Sequence, residues 1–190
     1  MKIYTKTGDF GETEIFCGKR ISKASYRIRV SGAIDELNSS LGIIVSDLEY
    51  GLIKEKLIRV QKELFESGAD VSLGFLNEKR KLSFRINKVH IQRLEREIDE
   101  WECDISYLNK FILPGGSRDG ALLHFSRSIC RRLERELVAL SQVEKINPDL
   151  LAYFNRLSDW LFVLARYVNK LKGTLEIKFE PKYKKLTRNL

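Results

Sequence analysis

Residues 111–135 read FILPGGSRDGALLHFSRSICRRLER, and they join an apolar segment, a glycine turn and a cationic helix in one continuous run. The Pro-Gly-Gly at 114–116 interrupts regular structure, and Ser117 is a residue type favoured at the N-cap of a helix. Asp119 then places a negative charge near the positive end of the helix dipole. A helix is therefore predicted to begin at Ser117.

This predicted helix has a basic face and an apolar face, because successive residues turn by about 100°. The basic face carries His124, Arg127, Arg131 and Arg135, and the apolar face carries Leu122, Ile129, Leu133, Leu137 and Leu140. Arginine binds phosphate oxygens in a fork, so Arg131 and Arg135, one turn apart, are candidates to hold successive phosphates. Arg127 is a candidate to meet a carboxylate. An ordinary solvated face is the alternative interpretation.

Four further helices are predicted around this one. Apolar residues recur at spacings of three and four over 33–48, 53–71 and 91–101. Asn147-Pro148 is a helix start signal, with Asn as N-cap and Pro at the first helical position. A bundle seam follows and ends at Gly173; its members are Leu150, Phe154, Leu157, Leu161, Leu164, Val168 and Leu171. The pattern predicts an all-α, five-helix up-and-down bundle.

The chain is predicted to form a single domain, 1–190, in three parts. Residues 1–32 are rich in glycine and threonine and lack an apolar period, so they are expected to form a loop segment with a hairpin around Glu14 to Phe16. Residues 33–173 form the bundle, with Asp35 expected in the first turn of its first helix, where it would compensate the dipole. Residues 174–190 form a short basic tail, in which 174–179 alternate like a strand.

Composition narrows the possible partners. The net charge of +8 and the pI near 9.4 favour an anionic partner such as a nucleotide, a nucleic acid or a membrane surface. Nucleic acid is disfavoured because exposed aromatic residues are not interleaved with the cations. No run of about 18 apolar residues occurs, and Cys17, Cys103 and Cys130 are odd in number and widely spaced. Reduced thiols, a cytoplasmic location and no membrane partner are therefore expected.

The segment Thr5 to Thr13, TKTGDFGET, is a candidate anion-binding loop. Its glycines let successive backbone N–H groups form a concave nest, and Lys6 and Lys23 supply positive charge. The segment lacks the Walker A pattern, and an ordinary turn is the alternative. No Ser-His-Asp triad, paired catalytic carboxylates or zinc cluster can be assembled from the sequence, so the reactive group is expected to come from a ligand.

Three blocks, taken together, resemble the PduO-type ATP:cob(I)alamin adenosyltransferases, also called corrinoid adenosyltransferases. The blocks are TKTGDFGET with GKRISK; SGAIDELNSSLG; and FILPGG followed by LLH, CRRLER and YFNRLSDWLFVLAR. They span nearly the whole chain. The resemblance implies a homotrimer of five-helix bundles with active sites between subunits. It also implies transfer of the 5'-deoxyadenosyl group of ATP to the cobalt of cob(I)alamin, with release of triphosphate.

The resemblance also implies roles for individual residues. ATP would be bound, with magnesium among its phosphates, by Thr5, Lys6, Thr7, Gly8, Thr13, Lys23, Arg131, Arg132, Glu134, Arg135 and Asn155. Asp35 would pair with Arg127 across the subunit boundary, and Phe111 would help to displace the lower axial ligand of the corrinoid. Phe111, Asp35, Arg127 and Arg131 thus form the expected catalytic set; the sequence does not assign metal ligands.

A flavoprotein reductase and a cobalamin-dependent acceptor enzyme are the further partners that this activity would require. The alternative that the residues leave open is a non-catalytic carrier or regulator, which would bind ATP or a corrinoid with the same fold.

Overall fold

A computed structural model of the chain describes residues 2–15, 18–73 and 83–181. Within these ranges there are five helices and a small two-stranded sheet, which confirms the predicted five-helix bundle. The helices are α1 (Tyr26–Asp47), α2 (Gly51–Leu73), α3 (Lys88–Glu102), α4 (Arg118–Val143) and α5 (Asp149–Leu171); the strands are β1 (Glu12–Glu14) and β2 (Arg20–Ser22). Phe16, Cys17 and the tail beyond residue 181 lie outside the described residues.

Helices α4 and α5 occupy the middle of the bundle. They pack against each other, α4 also packs on α1 and α5 on α3, and α2 packs on α1. The seam of α5 from Leu150 to Val168 is buried as predicted. Leu171 is 41% exposed, contrary to the predicted seam, because it lies in the last helical turn.

Helix α1 begins at Tyr26, whereas the apolar period predicts a start at Ala33. The first turns were missed because Arg27 occupies a core position: its side chain is 2% exposed and pairs with Glu144. A charged residue at a buried position hides the apolar period that marks a helix. Asp35 therefore lies in the middle of α1 and not in its first turn, so compensation of the dipole does not explain it.

The predicted helix starts at Ser117 and Asn147 are both supported by hydrogen bonds. The hydroxyl of Ser117 accepts from the Gly120 N–H at 3.1 Å, which makes Ser117 the N-cap of α4. Asn147 Oδ1 accepts from the Asp149 N–H at 3.0 Å. Pro148 already has helical dihedrals, as predicted for the first helical position, although α5 is bounded at Asp149, one residue later.

Both ends of the chain add short antiparallel contacts to the bundle. In the N-terminal hairpin, Glu12 pairs with Ser22 and Glu14 with Arg20, so the hairpin contains Glu14 as predicted. Near the C-terminus the predicted strand is reduced to one bridge between Ile112 and Lys178. In the described part of the chain, no helix is long and apolar enough to cross a membrane.

Candidate functional site

The N-terminal loop is held in an unusual backbone conformation. Lys6 has φ of 62°, in the left-handed region that residues with a side chain rarely adopt. The hydroxyls of its neighbours Thr5 and Thr7 lie 2.8 Å apart, and Arg20 donates to the Thr7 carbonyl at 2.5 Å. Strain of this kind persists where the surroundings hold it, and it marks the loop as a candidate binding element.

Lys23 folds back over this loop from the residue after β2. Its Nζ donates to the Gly8 carbonyl at 2.8 Å, and its N–H donates to the Gly11 carbonyl at 2.8 Å. A Cβ on Gly8 would lie 3.1 Å from Nζ, so glycine permits this close approach. Thr13 lies in β1 opposite Ile21, which fixes the loop to the hairpin. The predicted loop residues are thus brought together in one exposed element.

Arg20 belongs to this element, although no sequence pattern singled it out. Besides the Thr7 carbonyl, it contacts the carboxylate of Glu12 at 3.3 Å across the hairpin. The signal that would have found it is the alternation of residues facing each other in a hairpin, which requires the register.

On the surface of α4, Arg127, Arg131 and Arg135 form a line of cations that we call the arginine row. Arg127 is half-buried, Arg131 and Arg135 are exposed, and Arg135 donates to the Arg131 carbonyl at 3.2 Å. Across the three described ranges, no carboxylate lies within ion-pair distance of these guanidinium groups. Their charge is therefore available to an anion from outside the chain.

The arginine row does not include His124, contrary to the predicted basic face. His124 is 4% exposed, its ring lies 5.7 Å from the Phe162 ring, and its Nε2 has no hydrogen-bond partner among the described residues. Burial lowers the pKa of His124, and the positive charges of Arg127 and Arg166 lower it further. His124 is thus a neutral core residue behind the row.

Other predicted ATP residues beside the row have partners. Arg132 forms an ion pair with Glu36 of α1. Glu134 accepts a hydrogen bond from Asn155 Nδ2 of α5 at 3.0 Å. The structure therefore places Glu134 beside Asn155 where α4 meets α5, with Arg131 and Arg135 exposed on α4, whereas Arg132 is turned towards α1.

Phe162 supports Arg127 from α5. The guanidinium carbon of Arg127 lies 5.3 Å from the ring centroid of Phe162, and that of Arg166 lies 6.0 Å from it. Burial lowers the pKa of Arg127, the charge of Arg131 lowers it further, and the charge of Asp159 offsets these effects only in part. A negatively charged partner would offset both effects, so Arg127 is poised to receive one.

Phe111 lies at the surface, in a segment held by its backbone. Its side chain is 82% exposed. Its carbonyl accepts from the Phe179 N–H at 2.7 Å, and the Leu113 N–H donates to the Ile177 carbonyl at 2.8 Å. The segment thus presents an apolar side chain at a fixed place without burying it.

Two groups of predicted residues remain apart within one chain. No hydrogen bond or ion pair among the described residues joins Thr5, Lys6, Thr7 or Lys23 to α4 or α5. Asp35 is exposed on α1, and no ion pair with Arg127 occurs within the described chain. The described residues also bring together no group of three His, Cys, Asp or Glu side chains suited to a metal ion.

Comparisons with known proteins agree on one family. The family model described as cobalamin adenosyltransferase matches residues 3–168. A corrinoid adenosyltransferase of Bacillus subtilis is 40% identical over 184 residues, which cover 95% of this chain and 93% of that protein. A cobalamin adenosyltransferase of Cupriavidus metallidurans is 36% identical over 178 residues, covering 93% and 92%.

Solved structures of a PduO-type ATP:corrinoid adenosyltransferase from Lactobacillus reuteri share the fold. A phenylalanine-to-alanine variant complexed with cobalamin and ATP superposes with a TM-score of 0.90 at 35% identity, covering 95% of this chain and 100% of that one. An arginine-to-lysine variant complexed with ATP gives a TM-score of 0.87 at 36% identity, covering 94% and 100%.

Proposed function

Because the chain belongs to the cobalamin adenosyltransferase family, we propose that it transfers the 5'-deoxyadenosyl group of ATP to cob(I)alamin and releases triphosphate. The cobalt(I) electron pair forms a bond to C5' of ATP while the C5'–O bond breaks and its electron pair leaves with triphosphate. The protein needs no nucleophile of its own for this step. Its part is to bind both substrates, orient them and stabilise the leaving charge.

The observation that carries this proposal is the arginine row. Arg131 and Arg135 are exposed, one turn apart and without carboxylate partners among the described residues. Triphosphate gains negative charge as the C5'–O bond breaks, so fixed cations stabilise the transition state more than the bound substrate. We propose that Arg131 and Arg135 of the arginine row bind ATP together with Arg132, Glu134 and Asn155 beside it.

We propose that the N-terminal loop completes the ATP site from another subunit. In support, the loop carries Lys6 and a folded-back Lys23, yet no described hydrogen bond or ion pair joins it to the arginine row. Asp35 of α1 is an exposed carboxylate, and Arg127 is a cation that would gain from one. A homotrimer with sites between subunits would bring the N-terminal loop next to the arginine row and Asp35 next to Arg127.

The surface of α1 and α4 is suited to such an assembly. The two helices are joined by a hydrogen bond between Ser40 and Ser126 at 3.0 Å. Next to these residues, Ile43 is 52% exposed and Phe125 is 58% exposed. Exposed apolar side chains on adjacent helices favour contact with another protein surface.

Magnesium enters the proposal with ATP. Magnesium sites of this kind use one or two carboxylates together with phosphate oxygens of the substrate. Glu134 is the carboxylate among the proposed ATP residues, and one of its oxygens is engaged by Asn155. We therefore propose that the phosphates supply most of the ligands of the ion.

Phe111 is proposed to act on the corrinoid. An apolar side chain below the corrin ring would exclude the lower axial ligand and water. Without that ligand the axial d orbital of cobalt, which holds one electron in cob(II)alamin, is lowered in energy, and its reduction to cob(I)alamin becomes accessible. A flavoprotein reductase would supply the electron in the cytoplasm, and a cobalamin-dependent enzyme would accept the product.

The test is an anaerobic reaction of chemically reduced cob(I)alamin with magnesium ATP and the purified chain. Loss of the cobalt(I) absorbance, together with formation of adenosylcobalamin and triphosphate in equal amounts, is the expected result. Tight binding of ATP without conversion would contradict the proposed transfer and favour a carrier or regulator.

A further inference from the structure

The Pro-Gly-Gly turn at 114–116 is built around one buried amide of α5. Asn169 is 1% exposed. Its Oδ1 accepts from the Ser117 N–H at 2.9 Å and from the Ser117 hydroxyl at 2.8 Å, and its Nδ2 donates to the Gly115 carbonyl at 2.9 Å. One side chain thus ties the end of the turn and the start of α4 to α5.

Two glycines leave the space that this amide fills. A Cβ on Gly116 would lie 2.3 Å from Asn169 Nδ2, and a Cβ on Gly120 would lie 2.1 Å from its Oδ1. Gly116 also has φ of 104°, which disfavours any side chain there. Neither position accepts a side chain while Asn169 stays in place, so the three residues form one packing unit.

Asn169 also contacts the start of the C-terminal segment that bonds to the Phe111 segment. Its backbone carbonyl accepts from the Thr174 N–H at 2.9 Å, three residues before Ile177, the first of the residues that bond to Leu113 and Phe111. Because the Phe111 side chain is 82% exposed, core packing does not set its position. The backbone anchors on both sides of the segment must set it.

We infer that Asn169 is a positioning residue for the corrinoid step, because it fixes the turn that carries Phe111 to the bundle. The inference rests on the proposed function of Phe111. ATP would be bound by residues on other parts of α4 and by the N-terminal loop, so Asn169 governs the corrinoid half of the reaction and leaves ATP binding unchanged.

The test compares Asn169→Ala with Asn147→Ala in the full chain. Asn147 is a matched control, because it is also a buried asparagine that is 1% exposed, and it bonds to Asp70 and the Ile86 carbonyl away from the Phe111 segment. For Asn169→Ala, with a reduced flavoprotein supplying the electron, we expect turnover from cob(II)alamin to fall on the order of tenfold to a hundredfold, as for small misplacements of catalytic groups.

Two further readouts separate positioning from loss of stability. The KM for ATP should stay within about twofold of the wild-type value in Asn169→Ala, as for a loss confined to the corrinoid step. The fraction of bound cob(II)alamin that lacks its lower ligand, followed by its absorption and electron paramagnetic resonance spectra, should fall. In Asn147→Ala, that spectroscopic fraction should match the wild type even where the urea midpoint is lower.

A second pair of variants keeps the test decisive. Gly120→Ala should displace the Asn169 amide and reduce turnover as Asn169→Ala does. In the double variant the new methyl group enters the space left by the amide, so the two losses should not multiply. Asn169→Asp preserves the side-chain volume and removes the Nδ2 donor, and it should lower turnover in the same direction if the alanine variant does not fold.

Failure of the inference is distinct from failure of the proposed function. A wild-type chain that makes no adenosylcobalamin from cob(I)alamin would overturn the proposed function itself. If the wild type turns over and Phe111→Ala does not, unchanged turnover and spectra in Asn169→Ala would overturn the role of Asn169. Equal loss of ATP affinity and corrinoid turnover would overturn it as well.

Discussion

Arg131 projects from the middle of the arginine row and meets no carboxylate within the described residues. Replacing it with alanine should lower kcat more than it raises the KM for ATP, because the developing charge on triphosphate loses a fixed donor. By analogy with other preorganised donors, the loss should be roughly 100- to 1000-fold, or about 2.7–4 kcal/mol.

Steady-state kinetics with cob(I)alamin and magnesium ATP would measure the effect of Arg131→Ala. Arg96→Ala is the matched control, since Arg96 is an exposed arginine of α3 outside the proposed site. A variant that raises only the KM would show instead that Arg131 binds the ground state and the transition state equally.

Replacement of Phe111 is expected to impair the corrinoid step and to leave ATP binding unchanged. Phe111→Ala should retain ATP binding, measured by calorimetry, and lose most turnover starting from cob(II)alamin with a reduced flavoprotein as electron donor, because water and the lower ligand regain access to the cobalt. Phe65→Ala serves as control, because Phe65 is a 74% exposed phenylalanine on α2. Turnover of Phe111→Ala at the wild-type rate would contradict the proposed role of Phe111 in the corrinoid step.

Individual residues show which structural features a sequence pattern predicts and which it does not. The spacing of Arg127, Arg131 and Arg135 predicted one helical face, because regular geometry relates them directly. The same spacing wrongly placed His124 on that face, since periodicity indicates direction but not the depth to which neighbouring helices cover a residue. Asn169 belonged to no predicted constellation, because its role depends on a contact with a distant turn.

Among the elements, α2, α3 and α5 share a buried charged cluster. Arg59 makes two 2.8 Å hydrogen bonds to Glu97, and Trp160 Nε1 donates to the same carboxylate at 2.8 Å. Burial alone raises the pKa of Glu97, but the hydrogen bonds from Arg59 and Trp160 outweigh it, and the pKa is lowered. Glu97 is therefore held in its charged form between the helices.

Removal of this carboxylate should destabilise the bundle. Glu97→Ala leaves Arg59 without one of its carboxylate partners, and loss of one partner of a buried ion pair costs about 3–5 kcal/mol. The free energy of unfolding in urea would measure the loss. Glu95→Ala on the same helix should cost at most about 1 kcal/mol, because its ion pair with Arg156 is partly exposed. Equal losses would argue against a special role for the buried cluster.

Prediction of the elements succeeded where their packing is apolar. The buried seam of α5 was predicted from the spacing of its apolar residues. The N-cap of α4 was predicted from Ser117. The start of α1 was not predicted, because Arg27 is buried there as the ion-pair partner of Glu144. That partner is distant in sequence, so no local pattern indicates the pair. Likewise, the single bridge at Ile112 and Lys178 replaces a longer predicted strand, since alternation cannot specify how much of a strand finds a partner.

For the assembled molecule, the proposed sharing of Asp35 and Arg127 between subunits can be tested by complementation. Asp35→Ala and Arg127→Ala should each be inactive alone. Equal amounts of the two variants would be unfolded together and refolded into trimers of random composition. About a quarter of the sites then receive an intact Asp35 from one chain and an intact Arg127 from another, so about a quarter of wild-type activity should return.

The control for complementation is refolding of each variant alone, followed by mixing of the assembled proteins. Size-exclusion chromatography with light scattering would establish the oligomeric state of every sample. Activity absent from co-refolded trimers would mean that Asp35 and Arg127 do not act as a pair across the boundary.

The pairing of residues 110–113 with the C-terminal segment has a consequence for synthesis. Lys110 meets Glu180 at 2.9 Å although 70 positions separate them along the chain. On the ribosome, all five helices precede the residues that anchor Phe111. We expect α1 to α4, including the arginine row, to emerge from the ribosome before the residues that anchor Phe111. The order of translation would then present the arginine row on each new subunit before Phe111 is fixed in place.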